Sequence, residues 1–298
     1  MPFVQTERGR FFYNEHGSMG PVVYLLHGLT AKNEDWEAIP DILAKTTFHV
    51  FAFDMRGHGK SDGSKSSPRA NQEQERDYTP GSHAKDIEAC ANALGHSRIH
   101  LVGHSTGGRN ALVHAALFPE RAWTLTIVDQ TLKADPTSFV KYVDRYREFP
   151  TPFKDLGSLE KFLSKKFKKD PRYIRYYKNQ FWQDREGLWD WIFSPPAAWM
   201  TQKLGREKDA YDWLGKVKCP ILFIKGGQSH YVSPEEADKI EKMMPDGQMV
   251  WVPHAEHAVF RDEPEGFLRV LVPFLLKKSQ GHLFMPDEEK DDETFVKP

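Results

Sequence analysis

The sequence predicts an α/β fold, a mostly parallel twisted sheet flanked by helices, with an inserted helical segment. Three observations predict it. Short segments that are apolar on both faces recur along the chain, helical patterns separate them, and the alternation breaks off between about Thr131 and Gly215. Strands covered by helices on both faces carry near-continuous apolar runs rather than strict alternation.

The strand segments begin at Arg10 to Tyr13 and continue with Val22 to Leu26, His49 to Phe53, Ile99 to Val102, Leu125 to Val128, Ile221 to Ile224 and Met249 to Val252. Helical periodicity runs over His83 to Leu94, Gly107 to Leu117, Pro234 to Met244 and Pro264 to Leu276. From Gly63 to Pro80 the chain is polar and reads as a surface loop or insertion. From Thr131 to Gly215 strand signals vanish, and aromatic helical segments rich in lysine suggest a lid. Its aromatic residues, Phe139, Tyr142, Tyr146, Tyr177 and Trp191 among them, either fasten a thin helical layer or line an apolar pocket. These patterns divide the chain into a core of residues 1–130 and 216–277, a lid of 131–215, and a charged tail of 278–298 read as mobile and solvated.

A chain of 298 residues with 39% apolar residues suits one large core carrying an insertion. Lys and Arg total 41 against 42 Asp and Glu, so no whole-molecule field selects nucleic acid or an anionic membrane, and the expected partner is a small-molecule substrate. Oligomeric state is not readable from these features. Cys90 and Cys219 have no zinc-like spacing and point to a reducing compartment. No signal-peptide pattern or bilayer-length apolar run is visible, so a cytoplasmic location is expected. The 13 histidines are scattered, and neither a metal nor another cofactor is implied.

Chemistry concentrates at strand ends. Gly103-His104-Ser105-Thr106-Gly107-Gly108 follows one strand and opens a helix, the strand-turn-helix setting in which G-x-S-x-G presents a nucleophilic serine. The glycines flank a turn that holds Ser105 at strained dihedrals, and the helix aims its first amides at the same spot. No Gly-Lys-Ser/Thr ending or G-x-G-x-x-G accompanies it, so nucleotide binding is not supported. After the strand ending at Leu26 comes His27-Gly28-Leu29-Thr30, and the Leu29 and Thr106 backbone N–H groups form the natural oxyanion pair. Asp54-Met55-Arg56-Gly57-His58-Gly59-Lys60-Ser61 reads as a structural glycine turn beside the site. A serine hydroxyl needs a base, and the loop after the last strand offers His254 and His257.

Through His27-Gly28, Asp54-x-Arg56-Gly57-x-Gly59-x-Ser61, Gly103-x-Ser105-x-Gly107-Gly108 and the late histidine loop, the chain resembles the α/β-hydrolase fold family over roughly Gly9 to Lys277, the lid excepted in detail. The resemblance implies that His257 is the general base, although Glu256 replaces the glycine that usually precedes it. It also implies an acid on the turn after the strand ending at Ile224, where this chain instead has Ser229 and His230. A variation of the fold carries the acid at the end of the preceding strand, here Asp129, which becomes the expected orienting acid. A cap on the first lid helix is its structural alternative, and Glu235 or Glu236 its rivals.

The expected triad is therefore Ser105, Asp129 and His257. Serine rather than aspartate at the nucleophile position argues against epoxide hydrolase and haloalkane dehalogenase chemistry. With an aromatic lid and no charge cluster at the motifs, the expected substrate is a small or medium apolar carboxylic ester or lactone. Carbon–carbon bond hydrolysis on the same triad and a slow-turnover ligand receptor are the alternatives, and a perhydrolase side activity is indistinguishable in sequence.

Overall fold

A computed structural model of the chain describes residues 2–63, 75–184, 186–244 and 247–279. Most of the polar stretch after Gly63 and nearly all of the charged tail lie outside the described residues. The strands are β1 (Phe3–Thr6), β2 (Gly9–His16), β3 (Val22–Leu26), β4 (His49–Phe53), β5 (Ile99–His104), β6 (Ala122–Val128), β7 (Phe181–Gln183), β8 (Trp189–Trp191), β9 (Ile221–Gly226) and β10 (Gln248–Val252). Eight of them form one sheet in the order β1-β2-β4-β3-β5-β6-β9-β10. The run from β4 to β10 is parallel, while β2 pairs antiparallel with both β1 and β4.

This order carries the functional geometry. From β3 the chain moves outward to β4, then crosses back to place β5 on the other side of β3, so the strand order reverses between β3 and β5. A crevice forms at the carboxyl ends of strands at such a switch point. Leu26 pairs with Gly103, His104 with Val128, Val128 with Ile224, and Val252 with Gly226, so the ends of five strands stand side by side.

The helices are α1 (Ile39–Thr46), α2 (Pro80–Ala93), α3 (Thr106–Leu117), α4 (Ser138–Arg147), α5 (Leu156–Lys166), α6 (Pro171–Lys178), α7 (Pro195–Gly205), α8 (Tyr211–Leu214), α9 (Pro234–Lys242), α10 (Val259–Asp262) and α11 (Pro264–Ser279). One apolar core lies between the sheet and α2, α3, α8 and α9, and includes Tyr24, Leu101, Ala111, Leu112, Phe223 and Ile240. A second lies between the opposite face and α1, α10 and α11, and includes Trp36, Leu43, Val102, Phe260 and Phe267. Both faces of the central strands are thus buried, as their continuous apolar sequence requires.

The stretch between β6 and β9 contains α4 to α8, but also β7 and β8, an antiparallel pair where no strand was expected. Its aromatic residues form a third core of Tyr146, Phe149, Tyr177, Phe181, Trp191 and Phe193, with the Phe181 and Trp191 rings 4.1 Å apart. Phe139 and Tyr142 lie outside the side chains that are described.

Buried histidines join these layers. His100 hydrogen-bonds Thr124 Oγ1 at 2.8 Å and Ser279 Oγ at 3.0 Å, tying the end of α11 to the sheet. His83 on α2 meets Thr201 Oγ1 on α7 at 3.2 Å. Burial is the main cause that lowers His27 to about 4, and His58, His83 and His100 to about 3. In the unfolded chain each would titrate near ~6.5. The folded protein therefore binds fewer protons below that pH, and stability present above it is lost as pH falls toward the folded values. Asp54, raised to about 6 by burial, acts in the opposite direction with Asp35, Asp86 and Asp262, while His96, His104 and His114 are lowered along with the four histidines above, so the histidines outnumber the carboxylates. Unfolding free energy is expected to fall steadily from pH 6.5 to 4.5, by about 1 kcal/mol per pH unit or more. Urea midpoints across that range check it, and a flat or rising profile would contradict it.

Candidate active site

Ser105 sits between β5 and α3 with φ 52° and ψ −124°, a conformation that costs energy and must be held by its surroundings. Its amide donates to Val128 O at 2.9 Å, and its carbonyl accepts from Gly108 N–H at 2.8 Å. The glycines on either side answer to close packing: a Cβ on Gly103 would lie 2.4 Å from Gly107 O, and one on Gly107 would lie 2.2 Å from Leu26 O. The turn can be this tight only if both positions lack a side chain.

Gly28 brings the loop after β3 against the same turn, where a Cβ would come within 3.3 Å of Ser105 Cβ. This places the Leu29 segment beside Ser105, across the switch point. Thr106 opens α3, so its N–H is among those with no intrahelical acceptor. These are the two amides expected to form an oxyanion site. The Thr30 amide is occupied, donating to His58 Nε2 at 3.2 Å.

Asp129 follows β6 directly, with φ 46° and a fully buried side chain. Its Oδ2 accepts from His257 Nδ1 at 2.7 Å and from Ser229 Oγ at 2.5 Å, and its Oδ1 accepts from Gly226 N–H at 3.2 Å. The rivals are placed elsewhere. Glu235 and His254 are exposed, and Glu236 accepts from Thr131 Oγ1 and the Leu132 amide, bracing the chain just after Asp129. Ser229 therefore donates to the carboxylate from the position where the family usually carries one, and His230 is exposed. Lys225 holds that turn, its Nζ donating to Gly226 O and Ser229 O at 2.9 Å each.

Two side chains that the sequence reading passed over position His257. Tyr231 stacks on its ring, centroids 3.8 Å apart at 15°, and also borders the cleft that contains Ser105. His104 packs 4.6 Å from the His257 ring and hydrogen-bonds the His257 carbonyl through Nε2 at 2.9 Å. Burial first, then the neighbouring His257, lowers His104 well below the usual histidine range, which keeps it neutral. Neither role has a sequence signal beyond adjacency, because each depends on contact with a loop far along the chain.

The Asp54 segment makes structural contacts. Asp54 Oδ1 accepts from the Asn33 amide and side chain at 2.8 and 2.7 Å, and its Oδ2 accepts from the Lys60 amide at 2.8 Å. Arg56 pairs with buried Asp86 through Nε and Nη2, both at 2.7 Å, rather than with Asp54.

With this geometry in view, a family profile described as the alpha/beta hydrolase fold matches residues 21–264. The chain belongs to the α/β-hydrolase fold family. It is a serine hydrolase with hydrolases among its relatives. It is similar to 2-(acetamidomethylene)succinate hydrolase of Mesorhizobium japonicum, 28% identical over 91% of this chain and 94% of the relative. It is also similar to N-formylmaleamate deformylase of Pseudomonas putida, 26% identical over 89% of this chain and 92% of that one. Among solved structures, E-2-(acetamidomethylene)succinate hydrolase superposes with a TM-score of 0.76 at 27% identity, covering 92% and 98% of the two chains.

Among the described residues, none of the inserted segment's aromatic side chains borders the space beside Ser105; they pack on one another, the first of the two readings open to them. A narrow cleft is bordered by polar side chains of α3 and α7, including Arg109, Asn110 and Gln202. Arg109 was passed over as part of a helical run. The signal that could have found it is an Arg-Asn pair opening an otherwise largely apolar helix.

Replacing Asp129 with Asn should lower kcat by about 10³- to 10⁴-fold while the protein remains folded, because an amide cannot stabilise the imidazolium and favours the wrong tautomer. Steady-state kinetics beside a circular dichroism melt check this, and near-normal turnover would remove Asp129 from the reaction.

Proposed function

We propose that the chain hydrolyses a small carboxylic ester or lactone through an acyl-enzyme on Ser105. The observation that carries this reading is the His257 Nδ1 to Asp129 Oδ2 hydrogen bond of 2.7 Å, made at the strand edge where Ser105 stands in its strained turn. A histidine held through Nδ1–H keeps Nε2 free to act as a base.

In this mechanism His257 Nε2 takes the Ser105 hydroxyl proton as Oγ attacks the substrate carbonyl. The Leu29 and Thr106 amides receive the charge that develops on oxygen. His257 then returns the proton to the departing alkoxide, and a water molecule activated by the same histidine releases the acid. Asp129 orients the ring and offsets its charge.

Two features refine the sequence expectation. The aromatic residues of the inserted segment pack against one another, while the side chains of α3 and α7 beside Ser105 include Arg109, Asn110, Gln202 and Arg206, so the acyl group need not be apolar. With Asp129 on His257, the substituted turn at Ser229 no longer favours a slow-turnover receptor.

A fluorophosphonate probe is expected to label the wild type rapidly and the Ser105→Ala protein not at all, with kcat on chromogenic esters reduced by about 10⁶-fold. Across p-nitrophenyl esters of rising acyl length and a panel of lactones, the short members should be turned over best. A folded wild type that takes no label and cleaves neither ester nor lactone would overturn the proposal.

A further inference from the structure

Three residues that border the cleft beside Ser105 each have one buried nitrogen with no acceptor among the described residues. Arg109, in the first turn of α3, is 3% exposed. Its Nη2 donates to Thr131 O at 2.7 Å and its Nη1 reaches Lys208 O at 3.4 Å, while its Nε has no acceptor among the described residues. Asn110, 1% exposed, has an unpartnered Nδ2. Arg206, at the end of α7, has a buried and unpartnered Nε, and its Nη2 is 3.9 Å from Asp135 Oδ2. All three residues border the same cleft as Ser105.

The acidic groups nearby do not complete this set. Glu236 accepts from the Leu132 amide at 2.7 Å, Thr131 Oγ1 at 2.8 Å and Tyr211 OH at 3.2 Å, and Asp209 accepts from the Ala134 amide at 2.6 Å. Both carboxylates favour the charged form of Arg109 from a distance. Burial, reinforced by the charge of Arg206, nevertheless lowers Arg109 to about 10, so it stays protonated at neutral pH. A buried donor left unmet costs free energy, and a buried cation without an anion costs more. A negatively charged oxygen ligand would relieve both.

We propose that this cleft binds a carboxylate of the substrate on Arg109, Asn110 and Arg206, making the preferred substrate an ester or lactone whose acyl part carries a free carboxylate. Two oxygens with several lone pairs suit three separate single donors. The substrate class rests on the hydrolase reading above, but the anion site does not, and the two are tested apart.

Glutarate binding to the Ser105→Ala protein, measured by calorimetry, requires no catalysis. It is expected to be detectable and to weaken about tenfold or more when Arg206→Met or Arg109→Met is added. Arg206 lies near the surface, so its variant carries the test if Arg109→Met does not fold. In the Ser105-containing enzyme, kcat/KM for monomethyl glutarate should exceed that for dimethyl glutarate by about tenfold or more, and Arg206→Met should bring that ratio toward one. Absence of glutarate binding, binding indifferent to both arginines, or inorganic phosphate binding as tightly as glutarate would each overturn the carboxylate site. Arginine-dependent glutarate binding without turnover of any ester or lactone would support the site while overturning the hydrolytic reading.

Discussion

The candidate site hangs on one buried carboxylate. Asp129 has no exposed surface, and its two oxygens accept from the His257 ring, the Ser229 hydroxyl and the Gly226 amide. An ionised carboxylate removed from water and left unpaired would take up a proton, whereas one supplied with hydrogen-bond donors can remain charged. Those donors come from the last residue of β9, the turn after it and the loop after β10, while the acceptor follows β6. The sheet order β6-β9-β10 places these ends one strand apart, and β5 delivers Ser105 from the other side of β6. The site is therefore a consequence of strand order before it is a consequence of any loop.

The same carboxylate explains why Ser229 fits where the family more often has an acid. A second carboxylate beside Asp129 would set two like charges against one another and force one to protonate. A hydroxyl donates instead, and it does so to the oxygen that also receives His257 Nδ1. Lys225 fixes the turn that presents this hydroxyl by holding the carbonyls of Gly226 and Ser229, while its ammonium lies 4.4 Å from the Trp251 ring centre. Moving the acid to residue 129 and placing a donor at residue 229 are two parts of one electrostatic solution.

How much of this was legible depends on whether the cause is local. The central strand segments were readable because burial on both faces forces continuous apolar sequence, and the Ser105 turn because its close approaches admit only glycine at Gly103 and Gly107. Phe3–Thr6 escaped because a four-residue edge strand carries polar residues and little period. The β7–β8 pair escaped because Trp182, Trp189 and Trp191 read as aromatic lid helix when their pairing is unseen. His104, Tyr231 and Arg109 are ordinary in sequence, and their roles arise from what folding brings against them. The polar cleft was hidden for the same reason, since the aromatic content of residues 131–215 says how much apolar area is buried there but not against what.

The glycine turn after β4 then acquires a purpose that its acid and base obscure. Gly59 N–H donates to Ile192 O at 2.7 Å, Gly57 O accepts from Ser194 N–H at 2.8 Å, and His58 bridges to Phe193. A Cβ at Gly57 would lie 2.5 Å from Ala197 Cβ, so the start of α7 can approach only because that position is glycine. Asp54, held by Asn33 and Lys60, fixes the turn from within the core, and Ser61 Oγ donates to the Asp54 carbonyl at 2.6 Å. The inserted segment is thus pinned through backbone hydrogen bonds immediately before α7, the helix whose later turns face Ser105 with Thr201 and Gln202 and end beside Arg206. The distance between the nucleophile and the polar wall opposite it is set by this docking turn, which gives the Asp54 segment influence over the site without any part in the chemistry.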